Sequence, residues 1–264
     1  NTTCTRTQKC TIAKNSKPTQ RAAYKACSSH QTTLFRPNFS DERFSMIAPH
    51  ISQHTIEHIN LLLNVFLVIG VIACSISGAL RAIDSKMDLT GALLLAFVIS
   101  NAGGTFRDLI LAAPVFWIKD NYYVWLSLTI GALTYMLFYY APQLLANRRL
   151  NQLLLITDAI GLGVFCIAGV EKSFIMEQPA GIAVIMGIWT AVGGGIIADV
   201  IANRVPLVFS SELYITVSLC GAILYIILSL FMLHALAGFI AVIFMVAFRM
   251  LSVKFHWKLP IINS

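Results

Sequence analysis

Six ionisable side chains stand inside or at the rims of long apolar runs: Arg107, Asp108, Asp158, Glu171, Lys172 and Asp199. A charge at the centre of a bilayer costs at least about 2.5–3.5 kcal/mol on insertion scales, so each must face a partner or water. The chemistry open to such groups is the binding and passage of ions or small charged solutes. Two of the aspartates close matched glycine-bearing stretches, Asn101-Ala102-Gly103-Gly104-Thr105-Phe106-Arg107-Asp108 and Val192-Gly193-Gly194-Gly195-Ile196-Ile197-Ala198-Asp199. Consecutive glycines in a helix cost about 1 kcal/mol each against alanine and mark a kink or break. A break at membrane depth frees carbonyls that must face protein or a wet cavity, where they suit a weakly bound monovalent cation. The plainer alternative is that the glycines only allow tight helix crossing. Two symmetric runs, each followed by aspartate, favour the pore. Arg107 is a candidate partner for either aspartate, although its counterpart in the second run is Ala198. The competing arrangement puts both aspartates at helix ends, neutralised by Arg107 and Arg204. Asp158 enters its span near one end, while Lys172 either guards an entrance or snorkels to the interface.

These residues belong to a repeat. Gly70, Gly78, Gly103, Gly104 and Asp108 recur as Gly161, Gly169, Gly194, Gly195 and Asp199, an offset of 91 in each case (199 − 108 = 91). Pro114 and Pro206, Tyr123 and Tyr214, and Ser127 and Ser218 continue the match with small slips. What repeats is mainly glycine, proline and a carboxylate, the residues that break helices and bring charge into a membrane.

The elements that carry the repeat are apolar helices. The 264 residues are 57% hydrophobic and 12% charged, with mean hydropathy +0.75, whereas a soluble domain carries about 25% charged residues. A spanning helix needs roughly 20 mostly apolar residues. Seven such stretches are predicted near 58–80, 90–112, 121–141, 152–171, 180–202, 212–232 and 234–253. The runs are continuous rather than alternating, which argues against strands. The expected fold is therefore an all-α polytopic membrane protein. Residues 58–141 form repeat 1, residues 152–232 repeat 2 and residues 234–253 a seventh helix outside the repeat. Three spans per copy is an odd number, so the copies enter from opposite sides and are related by a pseudo-two-fold axis in the membrane plane. Gly70, Cys74 and Gly78 line one face of the first span for close contact.

Residues 1–57 are polar and lack an apolar signal-peptide core; residues 1–45 are expected to be disordered or a non-native upstream extension. His50, His54 and His58, at intervals of four, fit an amphipathic lead-in better than a metal site. Trp117, Tyr122, Tyr123 and Trp125 fit an interfacial aromatic belt. Basic residues favour the side reached after spans one, three, five and seven. The positive-inside rule then puts the N-terminus outside and the tail, 254–264, in the cytoplasm. Nothing requires a cofactor, a resident metal or a nucleic-acid partner, and no nucleotide-binding, HExxH or GxSxG pattern argues for an enzyme.

The combination of AGGTFRDLI, PVFW, DAIGLGVFCIAG and GGGIIADVIANRVP, followed by ELY, resembles the prokaryotic branch of the trimeric intracellular cation (TRIC) channels, a domain also known as a glycine transporter domain. The resemblance covers about residues 58–253. It implies two inverted three-helix repeats plus a seventh helix, and a homotrimer in the cell's inner membrane, in contact with lipid. One pore per protomer would run beside helices kinked at Gly103–Gly104 and Gly193–Gly195, passing potassium or sodium. A carrier for glycine or a similar small amino acid is the alternative. The chain departs from the family where Ala102 replaces a glycine and where Ala198 replaces an arginine.

Overall fold

The computed structural model describes residues 53–141, 143, 147–210, 213–255 and 257. The polar N-terminal segment up to residue 52, with His50, and most of the tail lie outside the described residues. Among the described residues every regular element is helical. In chain order they are α1 (Gln53–Asp84), α2 (Leu89–Ile110), the single turn α3 (Phe116–Lys119), α4 (Tyr122–Tyr140), α5 (Asn147–Ile175), α6 (Ala180–Ile201), the single turn α7 (Leu207–Ser210), α8 (Tyr214–Ser229) and α9 (His234–Lys254). Six are long and apolar enough to cross a membrane. The sixth predicted span, α8, is a 16-residue helix, shorter than the roughly 20 residues of an untilted crossing, because turns at both ends take up residues assigned to it.

The backbone repeats as the sequence does. α2 starts on Asp88, whose carboxylate accepts from the Gly91 amide at 2.8 Å. Four residues adopt left-handed φ where helices end: Lys86 (57°), Ala112 (51°), Glu177 (55°) and Asn203 (54°). They pair at the same offset, 177 − 86 and 203 − 112 both being 91. Each closes its helix the same way: the next amide reaches back five residues, as in Met87 to the Ala82 carbonyl and Ala113 to Asp108. The equivalents are Gln178 to Ser173 and Arg204 to Asp199. This is the Schellman stop, which normally recruits glycine. Here four other residues bear the left-handed strain.

Glycines set the helix crossings, and they do so reciprocally. A Cβ on Gly70 would meet the Phe165 ring at 3.1 Å, and one on Gly161 would collide with the Cys74 sulfur; 165 − 74 is again 91. Gly78 lies against the α2 backbone, 2.6 Å from Ala96 Cα, and Gly169 lies against the equivalent α6 backbone, 2.7 Å from Gly187 Cα, measured from the added Cβ. α1 and α5 therefore cross at the centre, α2 and α6 pack on them, and α4, α8 and α9 stand outside. α1 and α5 are the most buried of the spanning helices, while α4 and α9 expose most of their apolar surface. Dispersion between closely approaching backbones, rather than water exclusion, holds such crossings together in lipid.

Candidate functional site

The two glycine runs meet each other. A Cβ on Gly103 would collide with the Thr190 carbonyl, and one on Gly194 with the Ile99 carbonyl. Since 194 − 103 and 190 − 99 are both 91, this α2–α6 contact lies on the pseudo-two-fold axis. A Cβ on Gly193 would stand 3.5 Å from Gly103 Cα. The expected breaks are absent: α2 and α6 are helical without interruption through their glycines, and no glycine has positive φ. The missing side chains are used for approach, because carbonyls of the facing helix occupy the space a Cβ would need. Gly104 and Gly195 sit elsewhere. Gly104 faces the Phe116 ring, 2.6 Å from its would-be Cβ, while beside Gly195 the nearest atom is Arg81 Nη2 at 3.9 Å.

Ionisable groups gather at the two ends of this crossing. At the near end, where α1 and α6 finish, Arg81 bridges two carboxylates. Its Nη2 donates to Asp158 Oδ1 at 2.6 Å, and its Nη1 donates to Asp199 Oδ1. Tyr214 donates its hydroxyl to Asp158 Oδ2 at 2.9 Å, and the Arg249 guanidinium lies 4.6 Å above the Tyr214 ring. Arg81, Asp158, Asp199, Tyr214 and Arg249 are all buried. The pairing of each charge offsets a desolvation cost of several kcal/mol per ion. Arg204, which the competing arrangement paired with Asp199, instead joins Asp84 in a partly exposed pair at 2.6 Å.

At the far end, Arg107 pairs with its neighbour Asp108 at 2.8 Å. The Phe116 amide donates to Asp108 Oδ2 at 3.0 Å, which ties the end of α2 to α3. Arg107 therefore serves Asp108 alone, and Asp199 is served by Arg81. Lys172 is half-buried near the end of α5, and among the described residues no ion pair includes it. Its neighbour Glu171 is fully buried and meets His234 Nδ1 at 3.1 Å; Tyr225 Oη lies 3.1 Å from the same nitrogen. That contact fastens α9, the helix outside the repeat, to α5. The aromatic belt is divided: Tyr122 and Trp125 are exposed, Tyr123 is buried, and Trp117 donates Nε1–H to Thr105 Oγ1 at 2.8 Å.

The halves differ in polarity as well as charge. Ser75 and Ser100 meet at 3.3 Å, and the Asn101 amide donates to Ser127 at 3.4 Å, all buried. The residues 91 further on from Ser75, Ser100 and Asn101 are Cys166, Ala191 and Val192, so this polar strip exists only in the first half. Sequence reasoning missed Arg81, Tyr214, Arg249 and the Glu171–His234 contact. Arg81 carried a legible signal, since it occupies the position equivalent to Lys172 (172 − 81 = 91).

Two inverted three-helix halves crossing at glycines, with buried ion pairs at each end, define a multi-pass membrane protein of the inverted-repeat class. The chain belongs to the glycine transporter family: that family's model matches it twice, over residues 64–140 and 155–230, one match per half. It is 36% identical over 197 residues to the inner membrane protein YadS of Escherichia coli, covering 73% of this chain and 92% of that one. A Bacillus subtilis membrane protein, YvgT, is 33% identical, with 73% and 93% covered. A Vibrio cholerae membrane protein is 46% identical over 157 residues, 59% of this chain and 64%, less than two thirds, of that relative. The fold is that of prokaryotic TRIC channels. The Rhodobacter sphaeroides TRIC orthologue superposes with TM-score 0.67 at 31% identity, covering 74% of this chain and 98% of that one. A prokaryotic TRIC channel solved in 0.5 M KCl gives TM-score 0.69 at 28% identity, with 76% and 100% covered.

Proposed function

We propose that this protein conducts monovalent cations, potassium or sodium, through a passage inside each protomer of a homotrimer in the inner membrane. The observation that carries the reading is the reciprocal glycine crossing of α2 and α6, with charge at both ends, in a chain 31% identical to a solved TRIC cation channel. The passage runs beside Gly103, Gly104, Gly193, Gly194 and Gly195. Arg107 and Asp108 stand at one mouth and Asp158 and Asp199 at the other, with Lys172 as a tethered cation at the first. Asp199 and Asp158 favour cations once Arg81 withdraws, because two buried carboxylates set a strongly negative local potential. The N-terminus lies outside and the C-terminus in the cytoplasm, on the distribution of Lys and Arg.

A carrier for glycine or a similar small amino acid is the second reading. It is favoured by one observation, the shut near end: Arg81 is locked between Asp158 and Asp199 there, while Lys172 holds no carboxylate at the other. Recording of the purified protein in planar bilayers with potassium chloride on both sides separates the two. Discrete, cation-selective current steps are expected. Silence from folded protein, together with saturable glycine uptake into proteoliposomes, refutes the channel and establishes the carrier.

A further inference from the structure

Glu171 has no counterpart in the repeat. The residue 91 earlier is Leu80, which is buried in an apolar cluster with Phe138 and Leu150. The carboxyl therefore occurs only in the half on which α9 docks, and there it is fully enclosed. Its Oε1 meets His234 Nδ1 at 3.1 Å. Its Oε2 is buried without a hydrogen-bond partner among the described residues. Tyr225 Oη approaches the same Nδ1, also at 3.1 Å. The His234 side chain keeps 21% of its surface exposed, at the first residue of α9, where protons can enter.

An ionised Glu171 is costly here, because its charge is desolvated and one of its oxygens is left unbonded. The elements packed around the pair do not offset that charge. Lys172 follows on α5, but neighbours in a helix do not face each other. Arg107 and Asp108, at the end of α2, are paired together. α8 brings Tyr225 and no charge, and α6 has no charge before Asp199. Glu177, in the turn before α6, is exposed. α1 touches α9 where Phe66 covers Gly238. It carries no charged residue from Ile59 to Leu80, and Glu57 and His58 stand two turns before Phe66. Neutrality is left to one proton, owned either by the carboxyl or by the imidazole that faces it.

We propose that Glu171 and His234, with Tyr225 beside them, form a proton-binding site that fastens the start of α9 to α5. With its proton the site is neutral, and a hydrogen lies between Oε1 and Nδ1 whichever group owns it. Release of the proton to water leaves a net negative charge buried between α5 and α9. The first turns of α9 then loosen, because their other contacts there are the small apolar residues Ala237, Gly238 and Ala241. The site uses no residue of α2 or α6, so it stands whatever solute their crossing passes.

The test is amide hydrogen exchange of the full chain in lipid nanodiscs, from about pH 6 to about pH 10. Exchange is read by mass spectrometry over the first two turns of α9 and corrected for its intrinsic rise with pH. Protection should fall by about tenfold per pH unit wherever the docked site holds a proton that the opened one has released, the slope of one linked proton. Glu171→Gln keeps the shape of the side chain and has no proton to release, so its protection should stay level. Level protection in the parent overturns the proposal. The same fall in Glu171→Gln also overturns it, because the titrating group then lies elsewhere. If Glu171→Gln does not fold, His234→Asn decides, since its amide replaces Nδ1 as a hydrogen-bonding group and does not titrate. A fall moved to a different pH range supports the site, and one over the same range overturns it. Neither potassium current nor glycine uptake is read, so failure here leaves the proposed passage untouched.

Discussion

Alanine at Gly194 and alanine at Gly195 should behave oppositely, although the two glycines are neighbours on one helix. A Cβ at Gly194 would lie 3.0 Å from the Ile99 carbonyl carbon and 3.2 Å from Ile99 Cα, and closer still to the carbonyl oxygen. Ordinary contact to that oxygen needs roughly 1 Å more room, and the obstacle is helix backbone rather than a side chain that can turn away. Over-packing of this kind costs about 1–3 kcal/mol. Alanine regains about 1 kcal/mol of helix propensity over glycine. The net for Gly194→Ala is a loss of about 0–2 kcal/mol with a forced parting of α2 and α6. At Gly195 the nearest atom stands at 3.9 Å, so Gly195→Ala keeps the propensity gain and stabilises by up to about 1 kcal/mol. The pseudo-two-fold adds a second constraint. Gly103→Ala meets the Thr190 carbonyl carbon at 3.1 Å and should match Gly194→Ala. The double variant should lose less than the sum, because one separation of the helices makes room for both methyls. The assay is thermal unfolding in detergent followed by size-exclusion chromatography, with bilayer conductance as a second readout. Equal stabilities for Gly194→Ala and Gly195→Ala would refute the reasoning, as would strict additivity of Gly103→Ala with Gly194→Ala.

The near-end ion pairs give a contrast in magnitude. Arg81→Gln removes the cation shared by two buried aspartates and should destabilise by about 3–5 kcal/mol, with part of the loss recovered on adding Asp199→Asn; the same unfolding assay checks both. Arg204→Ala breaks only the partly exposed pair with Asp84, so the loss should stay within about 1 kcal/mol and shrink in high salt. Gly161→Ala drives a methyl into the Cys74 sulfur and should reduce stability by about 1–3 kcal/mol. In a Cys74→Ala background the same substitution should be close to neutral, and a persisting loss there would show that another contact limits the site.

Much of this architecture was legible because it rests on residues with few alternative uses. An offset of 91 in glycine and aspartate announced the inverted halves, and the crossings at Gly70, Gly161, Gly103 and Gly194 bear the operation out residue by residue. Whether paired glycines bend a helix or admit a neighbour was not legible, since both uses need the same missing Cβ and only the facing carbonyls of Ile99 and Thr190 decide. Partner choice was also hidden. Arg107 was an obvious companion for Asp108, one residue away, but Asp199 draws its cation from a helix end 118 residues earlier. Arg81 sits at the rim of an apolar run, where positive residues are common for reasons of topology, so its type and place did not single it out. The buried Glu171–His234 contact depends on how α9 docks, and α9 has no counterpart in the repeat to predict it from.

Contacts in which residue i meets j while the copy of i meets the copy of j are those of an isologous dimer, here written into a single chain. In a true dimer every substitution appears twice and must suit both ends of the bundle at once. Fusion lifts that condition. Asp158 stands where its counterpart is Leu67, and Arg107 where its counterpart is Ala198; a symmetric pair of chains could carry neither difference. Covalent linkage is thus what allows one end to hold two carboxylates around one arginine, and the other a single arginine–aspartate pair between chain neighbours, on a backbone that remains two copies of one design.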